Sequence, residues 1–186
     1  MKEKLLALLV KNSFKYSEEP TFKLASGRMS HYYIDCKKVT LNSEGLELVG
    51  NLVYEKISGL QVTGIGGLTL GADPIAMAGA LISTQNGKKI NPFIVRKEAK
   101  GHGTGAFIEG VVQSGENVVI IDDVITTGGS TIKAIERARA AGFNIVKAVV
   151  LVDREEGGKE AIEELGVPVD PIFTRTELFN EYKRSQ

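Results

Sequence analysis

Apolar residues recur along this chain with three different spacings, and each spacing predicts a different element. Near the start, Leu5, Leu6, Leu8 and Leu9 gather on one side of a 3.6-residue repeat, which predicts an amphipathic helix over residues 2–12. The same period returns after Asn42 and Ser43, either of which makes a good N-cap. Leu46, Val49, Val53 and Ile57 share a face there, and Gly59 supplies the stop. A period of two marks residues 31–36, where Tyr32, Ile34 and Cys36 alternate with Tyr33 and Asp35. With residues 22–24 this predicts two short strands joined by the turn Ser26-Gly27-Arg28. Unbroken apolar runs at 118–121 and 145–152 suit strands buried on both faces.

Shorter segments fill the intervals. A strand over 61–64 leads into a glycine-rich turn at Gly64-Ile65-Gly66-Gly67, and Pro74 fits the first turn of a helix over 72–82. After the turn Asn86-Gly87 comes a strand at 92–96, then an irregular stretch over 97–110. A helix over 131–141 ends at Gly142; a helix near 159–165, a short segment at 169–173 and a polar C-terminal helix complete the chain. Strands alternate with helices from residue 43 onward. That pattern predicts an α/β fold with a parallel sheet and right-handed crossovers, whose ligands bind beyond the carboxyl ends of the strands.

The apolar run at 118–121 is followed by unusual chemistry. It meets two adjacent carboxylates, Asp122 and Asp123, then Val124, Ile125 and the small polar series Thr126, Thr127, Gly128, Gly129, Ser130 and Thr131. A strand, a Gly/Thr/Ser loop and a helix N-terminus together make a phosphate site, since free N–H groups and the helix dipole both point at the anion. The carboxylates cannot bind phosphate, but they can accept hydrogen bonds from sugar hydroxyls or hold a hydrated Mg2+. Phosphate at one end and diol or metal at the other describe a phosphorylated ribose. The loop is neither a Walker A sequence nor the spaced-glycine dinucleotide fingerprint.

Composition narrows the classes. Lys+Arg 23 and Asp+Glu 23 cancel over 186 residues, without the basic excess expected of a nucleic-acid binder. No apolar run approaches a membrane span, and Cys36 is the only cysteine, so a cytoplasmic protein with no internal disulfide is expected. Arg96, Lys97, Lys100 and His102 follow a predicted strand and stand among glycines. Such a loop could close over a pyrophosphate, neutralise its charge and exclude water. Arg154 either pairs with Glu155 or Glu156 at the surface or presents a bidentate guanidinium to a substrate carboxylate.

Ile120 to Thr131 resembles the phosphoribosyl pyrophosphate (PRPP) signature of the type I phosphoribosyltransferases. Phe22 to Lys38, Gly64 to Gly71, Phe93 to Gly110 and Asp153 to Gly158 resemble, in order, further motifs of the orotate phosphoribosyltransferases. The resemblance implies a type I phosphoribosyltransferase fold: a central mostly parallel sheet flanked by helices. It also implies one domain over 1–186, with a helix and base-covering hood in 1–40, a core in 41–186 and a mobile loop at 97–110. The implied reaction is transfer of the 5-phosphoribosyl group from PRPP to N1 of orotate, in pyrimidine biosynthesis. By the same resemblance, Asp122 and Asp123 engage the ribose hydroxyls, Thr126 to Ser130 cradle the 5′-phosphate, and Val124 and Ile125 also bind PRPP. Arg96, Lys97, Lys100 and His102 contact pyrophosphate, and Arg96, Lys100 and His102 form the catalytic set with the two aspartates, while Thr126 and Arg154 bind orotate. Mg2+ is implied as cofactor, carried by PRPP and water near Asp122 and Asp123 and not by direct protein ligation. A homodimer with active sites shared across the interface is implied as well, with no nucleic-acid or membrane partner. Ala25 stands where many members have a lysine, and Thr69-Leu70 where some have Tyr-Lys. Lys37 and Lys38 are candidates to compensate, and the sequence does not choose between them. The rival readings are a phosphoribosyltransferase for a purine base and a PRPP-sensing regulator without turnover.

Overall fold

The structure, a computed structural model, describes residues 1–23, 27, 29–99 and 107–186. The amino-terminal part holds α1 (Lys2–Asn12), β1 (Phe14–Tyr16), β2 (Phe22–Lys23), β3 (Met29–Ser30), β4 (Tyr32–Ile34) and α2 (Lys37–Thr40). Then come α3 (Ser43–Ile57), β5 (Gly64–Leu68), α4 (Ala72–Gln85), β6 (Asn91–Val95), β7 (Ile108–Gly110) and β8 (Asn117–Ile125). The chain closes with α5 (Gly129–Ala140), β9 (Asn144–Asp153), α6 (Gly158–Glu163), β10 (Val169–Thr174) and α7 (Arg175–Arg184).

One six-stranded sheet runs in the order β10-β9-β8-β5-β6-β7, with every pairing parallel except β6 with β7. From β5 the chain winds outward to β6, then returns to the other side of β5 as β8 and winds outward through β9 and β10. The direction of winding therefore reverses between β5 and β8, and a crevice opens at such a switch point beyond the strand ends. Alternation along β8 splits the core in two. Val119 and Ile121 pack into a cluster with α1, α3, α4 and α7, while Val118 and Ile120 face the side covered by α5 and α6. All four are at most 1% exposed, which is why the run carries no polar alternation. Among the described residues no helix is long and apolar enough to cross a membrane.

The parallel α/β fold is as expected, but several elements differ in place. The glycine run expected as a turn after residues 61–64 is itself the buried strand β5, paired with β6 on one side and β8 on the other. Glycine is a poor strand former, yet here a Cβ on Gly66 would strike the Phe93 carbonyl and one on Gly67 the Ile121 carbonyl. Close packing overrides propensity. The stretch 97–110 is not wholly irregular, since β7 folds back as an antiparallel edge strand on β6. The expected hairpin of 22–24 with 31–36 is divided. β2 pairs with β3, and β4 instead pairs with β1, because Ser30 Oγ accepts the Tyr32 N–H at 3.1 Å and turns the chain between them. Leu24 and the turn residues Ser26 and Arg28 lie outside the described residues, as does Ala25.

Candidate active site

The two aspartates lie within β8, not after it. Pairing of β5 with β8 stops at Gly66–Ile120, while each strand continues with its outer neighbour, to Leu68–Val95 and Ile125–Asp153. Asp122 and Asp123 thus face the gap where the two central strands part company. Their environments are unequal. Asp122 is only 5% exposed; its Oδ2 accepts the Thr131 hydroxyl at 2.6 Å and its Oδ1 the Asp123 N–H at 3.0 Å. Burial pushes its pKa up to about 7, against the opposing pull of the Thr131 bond, and the neighbouring Asp123 charge adds to the rise. Asp123 is half-buried, accepts the Val124 N–H at 3.0 Å, and rests its carboxylate directly on Gly71, where any Cβ would collide with it.

The loop after β8 is built for an anion. Gly128, at φ 81°, caps α5 in the left-handed conformation and provides no side chain to occupy the first-turn N–H groups. Gly157, at φ 89°, begins α6 the same way, and the two loops touch backbone to backbone. A Cβ on Gly158 would stand 2.6 Å from the Thr126 carbonyl oxygen. A cavity of about 620 Å³ lies against residues 124–131, with Asp122, Leu68, Lys97, Glu98 and Lys133 completing its walls. Uncapped helix N–H groups, hydroxyls and Lys133 line this lobe with donors and positive charge, a chemistry suited to an anion.

A second lobe of about 370 Å³ shares Leu68, Lys97, Asp122 and Ser130 with the first and adds Lys37, Thr69, Leu70, Gly71 and Asp123. The loop Thr69–Gly71 has little side-chain polarity to offer. The Thr69 hydroxyl donates to Asp73 Oδ2 at 2.6 Å, Leu70 is mostly exposed, and the Thr69–Leu70 peptide is cis. Asp73 itself has its pKa raised by burial.

Of the four expected loop cations, Lys97 reaches the cleft and lines both lobes. Arg96 is ion-paired with Glu109 of β7 at 3.1 Å and lines neither lobe. Lys100 and His102 fall outside the described residues. Arg137 of α5, which no sequence motif singles out, fixes the start of this segment. Its guanidinium donates to the Arg96 carbonyl and, at 2.9 Å, to the Lys97 carbonyl, and lies 4.0 Å over the Phe107 ring.

Arg154 joins the hood to the sheet. Its N–H donates to the Ile125 carbonyl at 3.0 Å and its carbonyl accepts from Arg175 Nε at 3.2 Å, so the backbone is held on both sides. The side chain is buried, with Nε on Glu156 at 2.8 Å and a terminal nitrogen on Ser30 Oγ at 3.1 Å. The pairing with Glu156 expected of a surface residue is present, but the guanidinium is not at the surface. Glu155 takes φ 58° and sends its carboxylate to the Thr176 N–H and hydroxyl, at 2.9 and 2.6 Å. That contact ties the loop to the first turn of α7. Between hood and loop lies a third cavity, of about 340 Å³, bounded by Met29, Ser30, His31, Tyr32, Glu155, Glu156 and Arg175.

Comparison with known proteins agrees with this geometry. The family of the phosphoribosyl transferase domain matches residues 77–166. The orotate phosphoribosyltransferase of Aquifex aeolicus is 46% identical over 177 residues, covering 95% of this chain and 97% of that one. The crystal structure of Mycobacterium tuberculosis orotate phosphoribosyltransferase with Fe(III) dicitrate superposes with a TM-score of 0.82 at 34% identity, covering 95% of this chain and 98% of that one. The same enzyme in complex with PRPP gives 0.78 at 32% identity, with the same coverage. The similarity extends over nearly the whole length of both chains, so the chain belongs to the orotate phosphoribosyltransferase family.

Proposed function

We propose that the two-lobed cleft at the carboxyl ends of β5 and β8 binds PRPP and transfers its 5-phosphoribosyl group to N1 of orotate, releasing pyrophosphate. The observation that carries this reading is the position of Asp122, on the wall common to both lobes. A ribose held there directs its 5′-phosphate to the uncapped α5 N-terminus and its diphosphate toward Lys97 and the Thr69–Gly71 backbone. In the transfer, the C1–O bond breaks with its electron pair on the leaving pyrophosphate, and N1 of the orotate anion supplies the pair for the new bond. Orotate brings its own negative charge, so the main task of the protein is to align the reactants and stabilise charge on the leaving group.

Each residue takes a role on this reading. Asp122 and Asp123 accept the ribose hydroxyls, Thr126 to Ser130 surround the 5′-phosphate, and Val124 and Ile125 border PRPP. Lys97, with Lys100 and His102 of the same segment, neutralises the pyrophosphate, and Arg96, which lines neither lobe here, would do so in the cleft of the partner subunit. Arg154 presents its remaining donors to the orotate carboxylate, beside Thr126. One domain over 1–186 houses the whole site.

Mg2+ suits this donor set as a substrate-borne ion. Two adjacent carboxylates border the cleft, and among the described residues no group of three or more acidic, histidine or cysteine side chains could hold a metal alone. Asp122 and Asp123 would accept hydrogen bonds from its water shell, and when bound the ion supplies positive charge against the diphosphate. A homodimer fits the outer face of α4, where Met77 and Leu81 stand four residues apart and half exposed, with Leu70 just before the helix. A cytoplasmic setting follows from the composition. The test is incubation with PRPP, Mg2+ and a panel of bases. Consumption of orotate with release of pyrophosphate is expected, and consumption of a purine in place of orotate overturns the assignment.

A further inference from the structure

The diphosphate lobe contains a second cation, one of the two neighbouring lysines between which the sequence does not choose. Lys37 is the first residue of α2, where the chain leaves the hood and enters the core. Its backbone is firmly held, because Cys36 and Val39 on either side are at most 1% exposed and Thr40 is fully buried. The side chain is 42% exposed and lines the lobe together with Asp122, Asp123, Ser130, Lys97 and Gly71. Lys38, one residue on, is exposed and lines none of the three cavities.

We infer that Lys37 is a binding residue for the diphosphate of PRPP and for product pyrophosphate. The charge balance of the lobe demands such a group. Two carboxylates border the space proposed for a polyanion, and like charges repel strongly wherever water is excluded. Among the described residues of this lobe only Lys37 and Lys97 carry positive charge to oppose them. Lys37 Nζ rests 2.8 Å from Asp35 in a part-exposed pair, with the lysine side chain 42% and the carboxylate side chain 20% exposed. An ammonium has three donors, so two remain for phosphate oxygens while the Asp35 contact persists. The hydrogen bond to Asp35, and then the charge of Asp123, hold its pKa above the usual lysine value, so it stays charged.

The inference rests on the phosphoribosyl-transfer reading of the cleft, and the experiment separates the two. Pyrophosphate binding is measured by calorimetry, and KM for PRPP and for orotate by turnover, in the wild type and in K37Q, K37R, K38Q and D35N. Loss of charge-assisted hydrogen bonds raises the pyrophosphate Kd and the PRPP KM of K37Q by about 10- to 100-fold. The orotate KM moves less than twofold, K37R recovers most of the loss, and K38Q and D35N stay within twofold of wild type. K37Q within twofold of wild type for pyrophosphate overturns the inference. So does D35N reproducing the K37Q defect, since the lysine would then act only through its ion pair. Wild type that binds pyrophosphate through Lys37 but leaves orotate unconsumed would sink the functional reading and keep this one.

Discussion

Thr131, nine residues beyond Asp122, reaches back across the phosphate loop and gives its hydroxyl to the Asp122 carboxylate at 2.6 Å. Both groups are buried, at 1% and 5% exposure. The contact ties the first turn of α5 to the end of β8, so the carboxylate proposed to hold the sugar and the helix terminus proposed to hold the phosphate cannot move independently. It also favours the charged form of an acid that burial drives toward neutrality.

Thr131→Val should therefore shift the acid limb of kcat/KM for PRPP to higher pH. With the hydroxyl gone, the Asp122 pKa rises further above about 7, and a protonated carboxyl accepts sugar hydrogen bonds poorly. A lost bond to a charged group is worth about tenfold in activity at neutral pH. An unchanged pH profile would detach this threonine from the ionisation of Asp122.

Asp122→Asn makes the opposite test on stability. The folded-state pKa of Asp122 is raised above the ordinary carboxylate value, so its contribution to stability is fully present below that ordinary value. It is lost as pH rises through about 7. The variant, free of the buried charge, should match or exceed wild-type stability at pH 8, and this advantage should shrink toward pH 5. Urea denaturation at the two pH values measures it. PRPP binding by the same variant should fall sharply, and with Asp123→Asn added it should vanish while the fold persists.

Gly67→Ala should cost about 3 kcal/mol or more, at the upper end of overpacking penalties, because the new methyl meets the Ile121 carbonyl in the middle of the sheet. Gly129→Ala, where a Cβ has open space, should be tolerated in folding. Thermal denaturation of the pair distinguishes a packing requirement from a general dislike of substituting glycine.

Arg137→Met removes the guanidinium that holds the Arg96 and Lys97 carbonyls while keeping most of the apolar stem. Lys97 is then less well placed, so kcat should drop about tenfold with a smaller change in the orotate KM. Equal rises in both KM values with kcat intact would mean that the arginine only supports binding.

Arg154→Lys preserves a positive charge but not the forked geometry. The orotate KM should rise by about 10-fold or more, while the PRPP KM stays close to wild type. A change confined to PRPP would move Arg154 out of the base site.

Many of these features are legible in the order of the residues alone. The β8 run, the carboxylate pair and the Thr/Gly/Ser loop are contiguous, and a strand–loop–helix anion site is made by local backbone geometry. The order of the elements and the buried character of β8 and β9 follow in the same way from local periodicity. Other features have no local signal. Gly64 to Gly67 reads as a turn because glycines usually make turns, and the segment becomes the strand Gly64–Leu68 because Phe93 and Ile121 approach on its two sides. Arg137 looks like any solvated helix residue until Phe107 and the Lys97 carbonyl are brought to it.

The amino-acid sequence by itself determined the chemistry available: an anion loop, a carboxylate pair, cations after β6, and an arginine after β9. Its likeness to known phosphoribosyltransferases determined the family. Only the tertiary structure decided how those groups divide the work. Asp122 and Asp123 are adjacent and chemically identical in the chain, yet one is buried against Thr131 and the other lies against Gly71 in a half-buried setting. Lys37 and Lys38 are equally neighbouring, yet only the first lines the cleft. The reason is physical: burial, charge balance and hydrogen-bond partners are set by groups distant in sequence, and no local pattern records which of two like neighbours will meet them.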